Sequence, residues 1–102
     1  MIVRISKLAD EDLTRIEDFL VEAANRDLAL RFQAALAASV DAIRLQPHSG
    51  TVVGLTVEAS PPCRRVAVAR PFQRYHVFYL PEPDRITVLR VLHELRDLEN
   101  LL

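Results

Sequence analysis

The chain has 102 residues, of which 50% are hydrophobic and 26% are charged, and its formal net charge is −1. This length predicts a single domain over residues 1–102, and the near-neutral charge falls short of the basic surface that strong nucleic-acid binding requires. The one cysteine, Cys63, excludes an intramolecular disulfide and argues against a cysteine-based zinc site.

Charge and hydropathy vary along the chain. Residues 1–62 carry six Lys/Arg and nine Asp/Glu, whereas residues 63–102 carry seven Arg, no Lys and five Asp/Glu, a local balance of +2. Arginine suits paired contacts with carboxylate or phosphate, although a solvated surface explains the same bias. We find no signal peptide and no apolar run long enough for a bilayer, so we expect a cytoplasmic protein without a membrane partner.

The N-terminal half is predicted to form one strand and two helices. Residues 2–6 are rich in β-branched side chains, and the acidic cluster over residues 8–12 suits the start of a helix. Asn25 is a suitable N-cap for a second helix, which should stop near residues 46–50. The helices carry apolar stripes at three- and four-residue spacing: Leu13, Ile16, Leu20 and Ala23, then Phe32, Leu36, Val40 and Ile43. Together they predict a helical hairpin.

The C-terminal half changes to a strand period. Residues 47–62 are predicted to be a loop with a short extended piece within 51–57. Three β-rich runs, 64–70, 73–80 and 85–93, predict an antiparallel meander, and residues 94–102 predict a final helix. The fold class is therefore α+β in the order β-α-α-β-β-β-α, with the N-terminal strand and the helical hairpin packed on an antiparallel sheet.

Alternation along the strands predicts that neither face of the sheet is purely polar. Tyr75, Val77 and Tyr79 fall on one face, and His76, Phe78 and Leu80 on the other. In the last strand, strict alternation groups Ile86 and Val88 with Leu92, opposite Leu89, Val91 and His93. The second apolar face needs a cover, either the terminal helix or a partner protein.

Several stretches carry a family resemblance. They are Arg64–Val68, the aromatic run Tyr75–Tyr79, and Ile86–Asp97, which ends in His-x-x-Arg-Asp. Leu13, Ile16, Ala35, Leu36 and Ser39 fit in the helices, and residues 45–50, Leu-x-Pro-x-x-Gly, are similar to a Leu-x-x-Pro-x-x-Gly helix exit with one residue fewer between leucine and proline. Together these motifs resemble the RelE/ParE superfamily of bacterial toxins, which belong to type II toxin–antitoxin, or plasmid stabilisation, modules. The resemblance covers nearly the whole chain and implies the RelE/ParE-like fold.

The resemblance implies one of two activities. RelE-like members cut mRNA on the ribosome, whereas ParE-like members inhibit DNA gyrase. RNA cleavage needs a general acid, a general base and cationic groups close together. Here the first strand of the meander has Arg64 and Arg65 but no lysine, the next has His76 where the nucleases tend to have arginine, and no tyrosine follows Tyr79. These departures favour the ParE-like branch. A RelE-like endoribonuclease and a degenerate, non-toxic member remain the alternatives.

We predict no catalytic residue, no metal ligand and no cofactor. The candidates for contact with the target are cationic or titratable: Arg64, Arg65, Arg70, Arg74, His93 and Arg96. Each has a simpler interpretation. His93 could hydrogen-bond to the backbone and fix the corner after its strand, His76 could be a half-buried packing residue, and Arg70 and Arg74 could flank a solvated turn.

The partner implied by the resemblance is a cognate antitoxin, usually a ribbon-helix-helix, ParD-like protein with a disordered tail. The candidates for contact with it are apolar: Phe32, Tyr75, Phe78, Tyr79 and Leu89. Core packing is the alternative for Tyr75 and Tyr79. Operator DNA would be contacted only through the antitoxin, and DNA gyrase would be the target.

Overall fold

The computed structural model describes residues 1–53 and 62–97. Two helices and five strands follow one another in this part of the chain. Their bounds are β1 (Ile2–Ile5), α1 (Lys7–Ala23), α2 (Arg26–Leu45), β2 (Thr51–Val52), β3 (Arg64–Ala67), β4 (Tyr75–Pro81) and β5 (Arg85–His93). The predicted α+β class is confirmed, and the short extended piece after the helices contributes the two-residue strand β2.

Each helix begins at a polar side chain that caps its first turn. Ser6 Oγ accepts a hydrogen bond from the N–H of Ala9 at 3.0 Å, and Asn25 Oδ1 accepts one from the N–H of Leu28 at 2.9 Å. Such caps satisfy backbone donors that lack a partner within the helix. The predicted cap at Asn25 is confirmed, and the two helices pack against each other as a hairpin.

The five strands form one sheet in the order β1-β5-β4-β3-β2. The predicted antiparallel meander is present, because β3 pairs with β4 and β4 pairs with β5 in opposite directions. β1 pairs in parallel with β5, so the sheet is mixed rather than wholly antiparallel. A parallel pair needs a long connection, and the helices and the other strands supply it.

The alternation predicted for β5 is wrong beyond Leu89. A β-bulge shifts the register between β4 and β5 and leaves Leu89 without a partner on β4. One extra residue reverses the faces of the side chains that follow it. Val91, rather than Leu92, therefore joins Ile86 and Val88 in the main core.

The main core lies between the helices and one face of the sheet. Phe32 on α2 has no exposed surface and packs edge-on against Phe72 and Tyr75, with ring centroids 5.3 and 5.1 Å apart. Edge-to-face contacts of this kind add to the stabilisation from apolar burial. The other core residues include Ala9, Ile16, Leu20, Ala29, Ile43, Val68, Val77, Tyr79, Ile86, Val88 and Val91.

Two further apolar residues, Phe78 and Leu92, are buried without belonging to the main core. They pair with Arg90 and His76 across β4 and β5. Of the predicted final helix, residues 94–97 form a turn, and residues 98–102 lie outside the described residues. Neither α1 nor α2 has the length and hydropathy that a membrane-spanning helix needs.

Candidate functional site

β5 ends in reciprocal hydrogen bonds between His93 and the turn that follows. The Nδ1 atom of His93 accepts from the N–H groups of Leu95 at 3.1 Å and Arg96 at 3.3 Å. Asp97 Oδ2 in return accepts from the N–H of His93 at 2.8 Å. This arrangement resembles a capping box, in which a cap and a residue one turn later satisfy each other's backbone groups. The geometry fits the corner-fixing interpretation of His93.

Arg96 joins this turn to α1 and β4. Its guanidinium carbon lies 3.9 Å from the centroid of the Phe19 ring, and NH2 donates to the hydroxyl of Tyr75 at 3.0 Å. The ring of Tyr75 also meets the ring of His93 edge-on, with centroids 4.9 Å apart. Stacking of a cation on an exposed ring stabilises by about 0.5–1 kcal/mol. Arg96 therefore has a structural use besides its predicted contact with a target.

The carboxylate of Glu94 holds the same turn from the other side. Its Oε2 atom lies 2.8 Å from His76 Nε2, and its Oε1 atom lies 3.7 Å from Arg74 NH1. The hydrogen bond with His76 lowers the pKa of Glu94 below its ordinary value. His76 is half-buried as predicted, but it also pairs with a carboxylate that the sequence did not indicate. No three metal-ligating side chains converge within residues 1–53 and 62–97.

A second cluster locks the exit of α2 onto the sheet. The hydroxyl of Tyr79 donates to the carbonyl of Pro47 at 2.7 Å and accepts from the N–H of Gly50 at 3.1 Å. Arg64 NH1 donates to the carbonyls of His48 and Gly50 at 3.0 and 2.8 Å. A Cβ on Gly50 would lie 2.6 Å from the Tyr79 hydroxyl, so this close approach requires glycine. Arg64 is thus tied to the helix exit.

Sequence reasoning missed the ionic contact between α1 and β5. Asp12 has 1% of its side chain exposed, and its two carboxylate oxygens accept from Arg90 at 2.8 and 3.0 Å. It also accepts from Arg15 at 2.8 Å and from the N–H of Val91 at 3.1 Å. Burial raises the pKa of Asp12, but these hydrogen bonds outweigh burial and leave the pKa below its ordinary value. The missed signal was an aspartate on the buried stripe of a helix.

Four of the five predicted target-binding arginines are exposed, and one of them is Arg96, described above. Arg65 lies on β3, and Arg70 and Arg74 flank the turn between β3 and β4. Arg64, by contrast, is half-buried with its guanidinium on the helix exit. The structure therefore leaves the β3–β4 hairpin open to solvent at Arg65 on β3 and at Arg70 and Arg74 beside its turn, and we call this the arginine-bearing hairpin.

The aromatic candidates for antitoxin contact are buried. Phe32 and Tyr79 have no exposed surface, Tyr75 has 6% and Phe78 has 8%. Only Leu89 is half-exposed. In this conformation Phe32, Tyr75 and Tyr79 belong to the main core. The rings of Phe32 and Tyr75 pack on each other, and the hydroxyl of Tyr79 hydrogen-bonds to the helix exit. Phe32 nevertheless lies at an open groove of about 310 Å³ between the helices and β1, with Val3, Leu13, Leu36, Ala37 and Val40.

A family model described as "ParE toxin of type II toxin-antitoxin system, parDE" matches residues 3–98. The chain belongs to the ParE toxin family. A solved structure described as "Chromosomal ParDE TA system from P. aeruginosa" shares the fold of this ParE-family chain, with a TM-score of 0.71 at 19% identity. The alignment covers 91% of this chain and 95% of that one. No curated protein sequence matches the chain.

The two clusters explain the motifs in which this ParE-family chain resembles its superfamily. The helix exit over residues 45–50, Leu-x-Pro-x-x-Gly, supplies the Pro47 carbonyl and the side-chain-free Gly50 that Tyr79 requires. The His-x-x-Arg-Asp ending supplies the capping pair His93 and Asp97. Both motifs are therefore explained by backbone hydrogen bonds within the chain.

Proposed function

We propose that this ParE-family toxin acts by binding DNA gyrase, without catalysis of its own, and that a cognate antitoxin neutralises it. The observation that carries the proposal is the internal use of the candidate acid–base groups. His93 Nδ1 accepts two backbone N–H groups, and His76 pairs with Glu94. An RNA-cleaving site needs such groups directed at the substrate. A gyrase target also implies the cytoplasmic location predicted from the sequence.

The surface proposed for gyrase is the arginine-bearing hairpin. Arg65, Arg70 and Arg74 are exposed there and can contact carboxylates of a partner protein. Arg96 lies on the turn that Glu94 ties to Arg74, and the buried His93 directly precedes this turn, so both lie near the turn of the hairpin. Arg64 contributes indirectly, because it holds the helix exit beside Gly50.

A supercoiling assay with purified gyrase tests the proposed activity. The toxin should inhibit supercoiling at micromolar concentration, and translating ribosomes mixed with the same preparation should show no mRNA cuts by primer extension. Cuts in the ribosomal A site without gyrase inhibition would instead establish a RelE-like nuclease. Normal growth after induced expression without antitoxin, together with no effect in either assay, would establish a degenerate member.

We further propose that the antitoxin is a ribbon-helix-helix, ParD-like protein and that its tail occupies the groove between the helices and β1. The groove is lined largely by apolar side chains, and Glu17, Gln33, Asp41 and Arg44 also line it. An apolar groove of this kind suits an amphipathic segment that folds on binding. Leu89 and Phe78 remain further contact candidates on β5 and β4. Operator DNA would be bound by the antitoxin.

Two exposed alanines on α2 provide a matched test of this groove. Ala37 lines it and Ala34 does not, so Ala37→Tyr should block the antitoxin whereas Ala34→Tyr should not. Both variants should stay toxic alone, and co-expressed antitoxin should rescue growth only for Ala34→Tyr. Rescue of both variants would exclude the groove as the antitoxin site.

A further inference from the structure

The capping role of His93 requires one protonation state. Both partners of Nδ1 are backbone N–H donors, those of Leu95 and Arg96. Nδ1 must therefore carry a lone pair, and in the neutral imidazole the proton is on Nε2. Serine, threonine, asparagine and aspartate are the usual caps, and none of them has an acceptor that titrates near neutral pH.

We propose that His93 is a proton-operated cap, which holds the turn of residues 94–97 when neutral and releases it when protonated. Protonation places a hydrogen on Nδ1, where it faces two N–H groups instead of accepting from them. Two hydrogen bonds are lost, and the imidazolium repels both donors. This inference concerns the chain itself and does not depend on gyrase or on the antitoxin.

Several charged groups near the His93 ring affect its protonation. Arg96 and Arg74 oppose its protonation, whereas Asp97 and Glu94 favour it. Tyr75 on β4 packs against the His93 ring, and Arg15 on α1 lines a small pocket that His93 also lines. Burial, followed by Arg96, dominates and lowers the pKa of His93 below 6.5. The cap is therefore intact at neutral pH and is lost as the pH falls through the folded-state pKa.

A second contact holds the same turn. His76 Nε2 lies 2.8 Å from Glu94 Oε2, and this pair does not involve Nδ1 of His93. The turn should stay attached through Glu94, and the loss should be confined to the N–H groups that His93 accepts.

Nuclear magnetic resonance of the full chain tests the proposal directly. At about pH 7.5 the His93 ring should be the Nε2–H tautomer, with Nδ1 unprotonated. Between about pH 7.5 and about pH 4.5, the hydrogen-exchange protection factors of the Leu95 and Arg96 amides should fall about fivefold. This is the change in the opening equilibrium that the loss of one typical N-cap produces. An Nδ1–H tautomer at neutral pH would overturn the proposal, as would constant protection across this range.

Variants distinguish the loss of the His93 cap from an overall effect of low pH on the fold. Asparagine caps without titrating, so His93→Asn should keep the Leu95 and Arg96 amides protected at both pH values. The control His48→Asn changes an exposed histidine and should behave as the unaltered chain. Equal loss of protection in His93→Asn at low pH would contradict the proposal. If His93→Asn does not fold, the tautomer of the unaltered chain still decides the question.

Discussion

Asp12 and Arg90 are 78 positions apart in sequence, yet both carboxylate oxygens of Asp12 accept hydrogen bonds from the guanidinium of Arg90. This contact joins α1 to β5 beyond the point where β1 stops pairing with β5 at Val88. Asp12 also satisfies the N–H of Val91, which would otherwise be an open donor at the strand edge. One buried carboxylate thus completes the edge of the sheet.

Replacing Asp12 should destabilise the fold strongly. Asp12→Asn removes the charge while Arg90 keeps its own, and breaking a buried pair in this way costs about 3 kcal/mol. Asp18 lies on the same helix but is exposed, so Asp18→Asn should change the free energy of unfolding by no more than about 0.5 kcal/mol. Urea unfolding measures both. Equal stability of the two variants would show that the pair contributes nothing.

The same carboxylate predicts a pH dependence of stability. The pKa of Asp12 is lower in the folded chain than its ordinary value of 3.8, so the unfolded chain binds more protons in the interval between the two pKa values. The stabilisation is complete above the unfolded pKa and disappears as the pH falls through the folded one. The stability gap between the unaltered chain and Asp12→Asn should therefore narrow below about pH 4. A constant gap down to about pH 2 would contradict this assignment.

Gly50 should not tolerate a side chain. In Gly50→Ala the new Cβ would lie 2.6 Å from the Tyr79 hydroxyl and 3.0 Å from the Arg65 carbonyl. Forced overlap in a packed site costs about 1–3 kcal/mol. The exposed neighbour provides the control, and Ser49→Ala should leave the urea midpoint nearly unchanged. A Gly50→Ala protein as stable as the Ser49→Ala protein would mean that the loop can move away.

Tyr79→Phe should destabilise for a different reason. It leaves the Pro47 carbonyl and the Gly50 N–H without their partner, at a cost of about 1–3 kcal/mol. It also removes the hydroxyl oxygen, which is the atom nearest to the Cβ that Gly50→Ala would add. The two substitutions should therefore be less than additive when combined, as a double-mutant cycle in urea would measure. Strict additivity would show that the two residues do not act together.

The sequence predicted what depends on local periodicity. The stripes of α1 and α2, the cap at Asn25 and the run from Arg85 to His93 needed only spacing and residue type. The bulge at Leu89 depends on the fit between two strands, so alternation within β5 could not show it. The parallel pairing of β1 likewise depends on the path of the whole chain.

The candidate residues were predicted by type but not by partner. Arginines 65, 70 and 74 are exposed as expected, whereas Arg64 is used by carbonyls of a loop 14–16 positions away. The buried aromatic candidates, such as Phe32 and Tyr79, looked the same in sequence as exposed ones would. Only the buried role of Asp12 could have been predicted from the sequence, because this carboxylate lies on the apolar face of the helix between Ala9 and Ile16.

The most direct test of the binding mechanism is gyrase supercoiling with charge-reversed toxins. Arg65→Glu/Arg70→Glu changes the arginine-bearing hairpin, and Arg26→Glu/Arg31→Glu makes the same change in charge on exposed positions of α2. With urea midpoints matched, the first double variant should lose at least about tenfold in inhibition and the second should stay within about twofold of the unaltered toxin. Equal inhibition by all three proteins, or no inhibition by the unaltered toxin, would contradict the account.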